Sequence, residues 1–353
     1  MKILILANSV WGLHDFRKEL IAALAHSHDV AVVTPFDEPA KVDGLKETGC
    51  RLLETPMDRR GMDPAKDIAL MHTYRSILRQ EKPDLVITYT IKPNIYGGSV
   101  CREMKIPYAV NITGLGTAFE GNGPLRKMVT AMYRYALKKA RVVFFENEAN
   151  CRLFVDEGMA RADQVHVLHG AGVNLEKFSP LPYPTEAAGT RFLFMGRVMA
   201  EKGVDELFQA MRQLRSEGVP CSLDMLGSFE ENYEPKIHQA EAEGWLRYHG
   251  YQSDVRPFIR DCHCFVLPSW HEGMANTNLE CAASARPVIT SDIPGCREAV
   301  VDGETGFTFP VKDTEALYRV MRKLTEMPPE ARQQMGLAGR RHMEKVFDKR
   351  KVV

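Results

Sequence analysis

From its first residues the chain alternates short apolar runs with longer stretches whose apolar residues recur every three or four positions. Lys2–Ala7, Asp29–Thr34, Arg51–Glu54, Asp84–Tyr89, Tyr108–Ile112, Arg141–Phe145 and Val165–Leu168 are of the first kind. Their apolar residues are largely contiguous, as in strands buried on both faces of a parallel sheet. Between them the spacing predicts helices over Asp15–Ala25, Leu45–Thr48, Ala65–Gln80, Asn94–Met104, Leu125–Lys139 and Glu148–Glu157, with a turn over Asn8–Leu13. Alternation of strand and helix predicts an α/β, doubly wound sheet with helices on both faces.

The pattern stops at Pro180-Leu-Pro-Tyr-Pro-Thr-Glu-Ala-Ala-Gly189, which holds three prolines and no apolar period. A linker is predicted over 180–189, between a first domain, 1–179, and a second, 190–353. The alternation then restarts. Strands are predicted over Phe192–Met195, Ser222–Leu226, Leu246–His249, Cys264–Leu267, Pro287–Ser291 and Gly306–Phe309. Helices are predicted over Gly203–Ser216, Tyr233–Glu243, Val255–Arg260, Leu279–Ser284, Glu315–Thr325 and Glu330–Val346, with a helical turn at Arg297–Val300. Ligands of such sheets bind outside the carboxyl ends of the strands. Two facing domains would place a substrate in the cleft between them.

Composition narrows the picture. A chain of 353 residues suits two domains, and its 46 Lys and Arg equal its 46 Asp and Glu. That balance argues against a nucleic-acid protein of the bulk electrostatic kind, though not against local patches. No apolar stretch has bilayer length. Met1–Ala7 is too short for a signal peptide, and Asn8, His14, Asp15 and Arg17 follow at once, so it reads as a core strand. The eight cysteines include no CxxC pair, which predicts reduced thiols in a cytoplasmic protein. Cys262-His-Cys264 has no second cluster to match it and reads as buried packing.

Candidate chemistry gathers at the predicted carboxyl ends. Pro268-Ser-Trp-His-Glu-Gly-Met-Ala-Asn-Thr-Asn-Leu-Glu280 puts Glu272 where a strand ends and Glu280 on the following helix, with Asn276, Thr277, Asn278 and Leu279 between. A strand, a polar loop and a helix start form an anion site, because the first helical N–H groups lack partners. The other reading is two solvated surface acids. Met195-Gly-Arg197 and Lys202 place two cations on a glycine-bearing loop, suited to clamping a diphosphate. Leu226-Gly227-Ser228 would let backbone approach a ligand. In the first half, Gly12 would bring a loop to a phosphate at a helix start. Lys92, Asn94 and the Gly114/Gly116 loop end the fourth and fifth strands, although the glycines also suit ordinary turns. No GxGxxG, P-loop or Asp-x-Asp pair occurs, so cationic side chains and helix dipoles rather than a metal are expected to balance phosphate charge. Leu125, Met128, Val129, Met132 and Ala136 form one helical stripe, with Arg126, Lys127, Arg134 and Lys138 away from it and Tyr133 and Tyr135 on its flanks. This helix, 125–139, suits either an anionic membrane surface or packing on the sheet with cations in water.

The motifs together resemble a known family. His271-Glu-Gly-Met-Ala-Asn-Thr-Asn-Leu-Glu280 resembles the E-x7-E motif of retaining glycosyltransferases of family 4. Gly196-Arg197…Lys202-Gly203, Leu267-Pro-Ser269, Arg286-Pro-Val288, Asp302-Gly-Glu-Thr-Gly306-Phe307 and the segment Gly170–Pro180 are similar to further motifs of that family. Trp11…Phe16-Arg17, Lys92-Pro-Asn94 and Gly114-Leu-Gly116 resemble a bacterial subgroup acting on polyprenyl-diphosphate-linked sugars in capsule, O-antigen or N-glycan assembly. The nearest activity in pattern is N-acetylgalactosaminyl transfer to diacetylbacillosaminyl-diphospho-undecaprenol.

The resemblance implies the GT-B fold, two Rossmann-like doubly wound domains facing across a cleft, with acceptor bound by the first and nucleotide sugar by the second. It implies a UDP-sugar donor, a polyprenyl-diphosphate-linked acceptor, no metal or other cofactor, and a cytoplasmic protein peripheral on the inner membrane through 125–139. Arg197 and Lys202 would bind the donor diphosphate, Glu280 the ribose, and Glu272 the donor sugar or its oxocarbenium-like transition state. Backbone amides from Asn276 to Leu279 would touch phosphate or sugar, and Gly12 would lie near the diphosphate. Transfer would proceed at the front face with retention, the leaving phosphate taking the acceptor proton. A UDP-sugar epimerase of the same fold and an inactive binding scaffold are the rival readings. Ala285 stands where the family usually has glycine, a small expected change in packing. Family chains continue past the position of Asp348 with a helix crossing to the first domain, so a truncated or abbreviated crossing is expected here.

Overall fold

The computed structural model describes residues 1–57, 61, 63–119, 121, 123–185 and 189–353. The chain divides into two compact units, one spanning Met1–Ala171 and the other Gly172–Val352. The first unit runs β1 (Lys2–Leu6), α1 (Val10–Ser27), β2 (Asp29–Thr34), α2 (Pro39–Lys46), β3 (Arg51–Glu54), α3 (Pro64–Glu81) and β4 (Leu85–Tyr89). A π-helical turn at Pro93–Gly97 leads into α4 (Gly98–Met104), followed by β5 (Tyr108–Ile112), α5 (Pro124–Leu137), β6 (Val142–Phe145), α6 (Glu148–Asp156) and β7 (Val165–Val167). All seven strands are parallel, in the order β3-β2-β1-β4-β5-β6-β7.

The contiguous apolar strands are explained by two cores. On β1, Leu4 and Leu6 join one hydrophobic layer, while Ile3 and Ile5 join the other. Successive side chains of a strand point to opposite faces, so both sides must be covered by helices. Helix α1 begins before the predicted Asp15, and the expected turn over Asn8–Leu13 is mostly helical. Ser9 is extended and its hydroxyl accepts from the Gly12 amide at 3.3 Å, capping the helix at Val10. Helix α2 starts at Pro39, well before the predicted Leu45, with proline in its first turn.

The second unit runs β8 (Thr190–Met195), α7 (Val204–Ser216), β9 (Cys221–Leu226), α8 (Glu234–Ala242), β10 (Leu246–Tyr248) and α9 (Arg256–Asp261). It continues with β11 (Cys264–Leu267), α10 (Asn276–Ala283), β12 (Val288–Ser291), β13 (Gly306–Phe309), α11 (Thr314–Glu326) and α12 (Pro329–His342). Its six parallel strands lie in the order β10-β9-β8-β11-β12-β13.

The division between units falls before the predicted linker. Val173, Leu175 and Phe178 are buried in the second unit's core. Arg340 donates to the carbonyls of Leu175 and Phe178. Arg286, fully buried, donates to the carbonyls of Leu181 and Pro182 and to those of Ile259, Arg260, Ser284 and Ala285. These bonds fasten the proline-rich segment to the second unit; residues 186–188 of it lie outside the described residues. Ala285 takes φ 61, a left-handed conformation, which explains in backbone terms why glycine suits that position. The eight cysteines are free thiols and all are buried. Burial pushes the Cys262 thiol up to about 12. Among the described residues no helix is long and apolar enough to cross a membrane.

Among the described residues Arg286 has no carboxylate partner; it satisfies backbone carbonyls from three segments. Arg286→Met should therefore lower unfolding free energy by at least ~3 kcal/mol, since several buried acceptors lose their donor at once. Chemical denaturation measures this; a loss within the ordinary range of surface substitutions, about 0.5 kcal/mol, would contradict the role given to Arg286.

Candidate functional site

In the second sheet β8 lies between β9 and β11. The chain leaves β8 through α7 towards β9 and leaves β11 through α10 towards β12, so the two loops diverge and open a crevice at the carboxyl ends. Two close backbone approaches build its walls. Gly203, at φ 71, would carry a Cβ only 2.1 Å from the Pro268 carbonyl oxygen. Gly227, at φ 142, would carry one 1.7 Å from the Gly196 carbonyl oxygen. Glycine is required at both. At Gly227 the space serves packing of the β9 loop on the β8 loop, where the sequence suggested approach to a ligand. The Trp270 amide donates to the Glu201 carbonyl at 2.9 Å, and its indole N–H donates to Glu206 at 3.1 Å.

This packing joins Lys202 to Glu272, which are ion-paired with side chains only 14% and 15% exposed. The Ser269 hydroxyl donates to the same Glu272 oxygen at 2.7 Å. Burial pushes the Glu272 carboxyl up, but the Lys202 ammonium and the Ser269 hydroxyl outweigh it and hold the group below the usual carboxylate range. An ammonium has three donors, so Lys202 can pair with Glu272 and still bond to an anion. Arg197 leaves the same loop with its side chain 49% exposed, 3.8 Å from Glu230.

Helix α10 starts at Asn276, earlier than the predicted Leu279. No side chain caps it, and the Ala275 amide donates to Gly295 at 2.7 Å. Asn278 and Leu279, both expected to offer amides to a ligand, are fully buried and donate those amides to the Ala275 carbonyl at 3.0 and 3.4 Å. The Asn278 side chain also donates to Thr290 at 3.1 Å, tying the helix to β12. Among the described residues that leaves the N–H groups of Asn276 and Thr277 without a backbone partner, as the open end of the helix. Asn276, Thr277 and Glu280 are each partly exposed and fall on one face at helical spacing. The arrangement offers cations and open amides to a diphosphate and a carboxylate to a polyol.

The first unit departs further from expectation. Lys92 is ion-paired with Asp67 at 2.8 Å, and the Tyr96 hydroxyl donates to the other Asp67 oxygen at 2.7 Å, so the lysine charge is already balanced. Asn94 is buried; it accepts from Thr88 and donates to the Asn111 carbonyl, both at 2.7 Å, stapling the turn after β4 to β5. Gly116, at φ 67, would carry a Cβ 2.7 Å from Ile91 and serves packing, while Gly114 is part-exposed. Gly12 lies in the first turn of α1, with open space beside it.

Sequence reasoning assigned no role to a buried pair at this edge. Arg17 of α1 donates to Glu146, the residue after β6, at 2.5 Å and lies 5.2 Å from the Tyr89 ring centroid. Burial pushes the Glu146 carboxyl up while Arg17 pulls it down, with a net rise. Thr90, next to Tyr89, takes φ 72, a costly conformation for a β-branched residue. The available signals were Glu146, an acid directly after an apolar strand, and the place of Arg17 in the Trp11…Phe16-Arg17 pattern.

Helix α5 buries Val129, Thr130, Tyr133, Ala136 and Leu137. Tyr133 therefore belongs to the core, and Met128, placed in the inward stripe by its spacing, points out. Met128 and Tyr135 are 53% and 46% exposed, and Lys127, Arg134 and Lys138 are exposed beside them. Arg126 pairs with Glu157, and Arg134 donates to the Glu157 carbonyl.

Comparisons with known proteins agree across both units. Residues 12–171 match the family described as glycosyl transferase 4-like domain, and residues 185–342 match glycosyl transferases group 1. The chain is 25% identical to N,N'-diacetylbacillosaminyl-diphospho-undecaprenol alpha-1,3-N-acetylgalactosaminyltransferase of Campylobacter jejuni, covering 92% of this chain and 90% of that one. It is 24% identical to UDP-Gal:alpha-D-GlcNAc-diphosphoundecaprenol alpha-1,3-galactosyltransferase of Escherichia coli, covering 76% and 73%. Among solved structures, Anabaena Alr3699/HepE in complex with UDP superposes with a TM-score of 0.77 at 16% identity, covering 100% of this chain and 97% of that one. Together with the two doubly wound sheets, that likeness shows the expected GT-B fold.

Glu272 titrates below its ordinary range when folded. Its stabilisation is thus present above that range and lost as pH falls through the depressed value. Glu272→Gln should lower the thermal midpoint near neutral pH, and the gap from wild type should close on acidification. A gap independent of pH would show that the carboxylate is not held by Lys202.

Proposed function

The chain belongs to the glycosyltransferases of the group 1 and 4-like families, and from that premise we propose that it moves a hexose or N-acetylhexosamine from a UDP-sugar to a polyprenyl-diphosphate-linked sugar, with retention. The observation that carries this reading is the Lys202–Glu272 pair beside the open start of α10. Lys202, Arg197 and the amides of Asn276 and Thr277 meet the charge that builds on the departing diphosphate. Glu280 holds the ribose hydroxyls, and Glu272 faces the donor sugar, stabilising positive charge at its anomeric carbon. The bond from that carbon to the diphosphate oxygen breaks as the acceptor oxygen bonds to the carbon on the same face. The acceptor proton passes to the leaving phosphate, giving UDP, so no separate base is required. Catalysis is mainly preorganised charge stabilisation, with no step assigned to a metal. The relatives' names, which specify diphospho-undecaprenol acceptors, support the lipid-linked acceptor.

Such an acceptor keeps its lipid in the bilayer, and α5 fits contact with it at the cytoplasmic face of the inner membrane. Its outward face combines Met128 and Tyr135 with Lys127, Arg134 and Lys138. Apolar and cationic residues together suit an anionic interface.

Radiolabelled UDP-HexNAc offered with and without a short-chain polyprenyl-diphosphate HexNAc tests the transfer. Label should enter the organic phase only with the lipid, and Arg197→Ala should raise the donor KM about tenfold, the cost of one charged hydrogen bond. Lipid-independent epimer formation would replace the transferase reading with an isomerase, and no turnover with any such donor would favour a binding scaffold. For the membrane contact, Lys127→Glu with Lys138→Glu should reduce sedimentation with anionic liposomes; unchanged sedimentation would make the exposed face of α5 merely structural.

A further inference from the structure

The first sheet has the same topological device as the second. β1 lies between β2 and β4, and the chain leaves β1 towards β2 but leaves β4 towards β5, so a crevice opens at their carboxyl ends. Tyr89 ends β4, and the Arg17 guanidinium lies over its ring. Arg17 reaches past it to Glu146 at the end of β6, 129 residues away in sequence. The two side chains are 7% and 9% exposed, so each keeps only an edge to solvent.

Attachment of α1 to the sheet does not need this pair, because Val10, Leu13 and Ile21 already bury the helix face. Apolar residues of similar volume would serve packing as well or better, since two charges must be desolvated to form the pair. The pair is also incompletely used. Arg17 has five N–H donors and Glu146 two acceptor oxygens. One bond joins them, and the other donors and the second oxygen have no hydrogen-bond partner among the described residues. The result is a neutral, rigid site that offers donors and an acceptor side by side. A phosphate is poorly matched, because Glu146 cancels the Arg17 charge. Vicinal hydroxyls of a pyranose are well matched, since each accepts from a guanidinium N–H or donates to the carboxylate. Lys92 and Asn94 are engaged within the unit and do not compete for this part.

We propose that Arg17 and Glu146 bind the sugar of the acceptor by its hydroxyls; this rests on the lipid-linked-sugar reading above for the word acceptor, and on the first unit's geometry for the sugar. The test uses the double variant Arg17→Met/Glu146→Leu, which replaces the ion pair by an apolar one and should keep the thermal midpoint, with Glu146→Gln as a nearly isosteric second variant should the double variant not fold. Saturation-transfer NMR with methyl N-acetyl-glucosaminide should show transfer from the wild type and at least a fivefold weaker signal from either variant, with UDP affinity unchanged in calorimetry. In the transfer assay the acceptor KM should rise at least tenfold while the donor KM stays fixed. Equal saturation in wild type and variants, or none in the wild type, overturns the proposal. Wild type that binds the glycoside but transfers nothing to a polyprenyl acceptor leaves the sugar site standing and removes only the transferase reading. Variants that keep the wild-type acceptor KM likewise overturn the proposal.

Discussion

The meeting of Lys202 with Glu272 depends on how closely the loops after β8 and β11 can approach. Gly203 lets the first loop press on the Pro268 carbonyl, and any side chain there would force them apart. A mostly buried cation and carboxylate then face each other, with Ser269 supplying a further hydrogen bond to the acid. Removing two charges from water is tolerable only with good geometry and additional bonds. The backbone contact supplies that geometry, which is why this site's chemistry and its local stability are hard to separate.

The same logic separates sites from scaffolding elsewhere. Arg286 satisfies backbone carbonyls from several segments and, among the described residues, bonds no carboxylate, which marks it as a fastener. Lys92 is matched by Asp67 and Tyr96 around a single carboxylate. Arg17 and Glu146 differ, since each retains bonding capacity beyond the other. A charged pair kept at the edge of a sheet, where apolar residues would pack as well, is better explained by a ligand than by stability. The two sheets thus present different chemistry at equivalent topological positions: cations and open amides on the second, a neutral donor–acceptor pair on the first.

Much of the fold was legible in the sequence because strand patterns in a doubly wound sheet are local. Every predicted strand lies where a strand forms, with ends within two residues, since a contiguous apolar run has few other uses in such a chain. Helix starts were less legible. The beginning of α1 depends on a serine cap and that of α2 on a proline-led first turn, and neither disturbs apolar periodicity. The unit boundary was hidden for a related reason. Proline-rich composition marks an irregular segment, but it cannot reveal that Arg286 and Arg340 fasten the chain around it to one side.

By itself the sequence determined the two-unit α/β architecture and the residue types gathered at the second sheet's edge, because both follow from spacing over a few tens of residues at most. Tertiary structure alone decided which of those groups remain available. Asn94 and Asn278 look like ligand-binding amides in one dimension and are buried staples in three. Met128 belongs to an apolar stripe by spacing and faces outward in fact. Arg17 and Glu146 become a pair only when the sheet brings β6 and α1 together. Burial and charge balance depend on partners far away along the chain, and no local pattern encodes them.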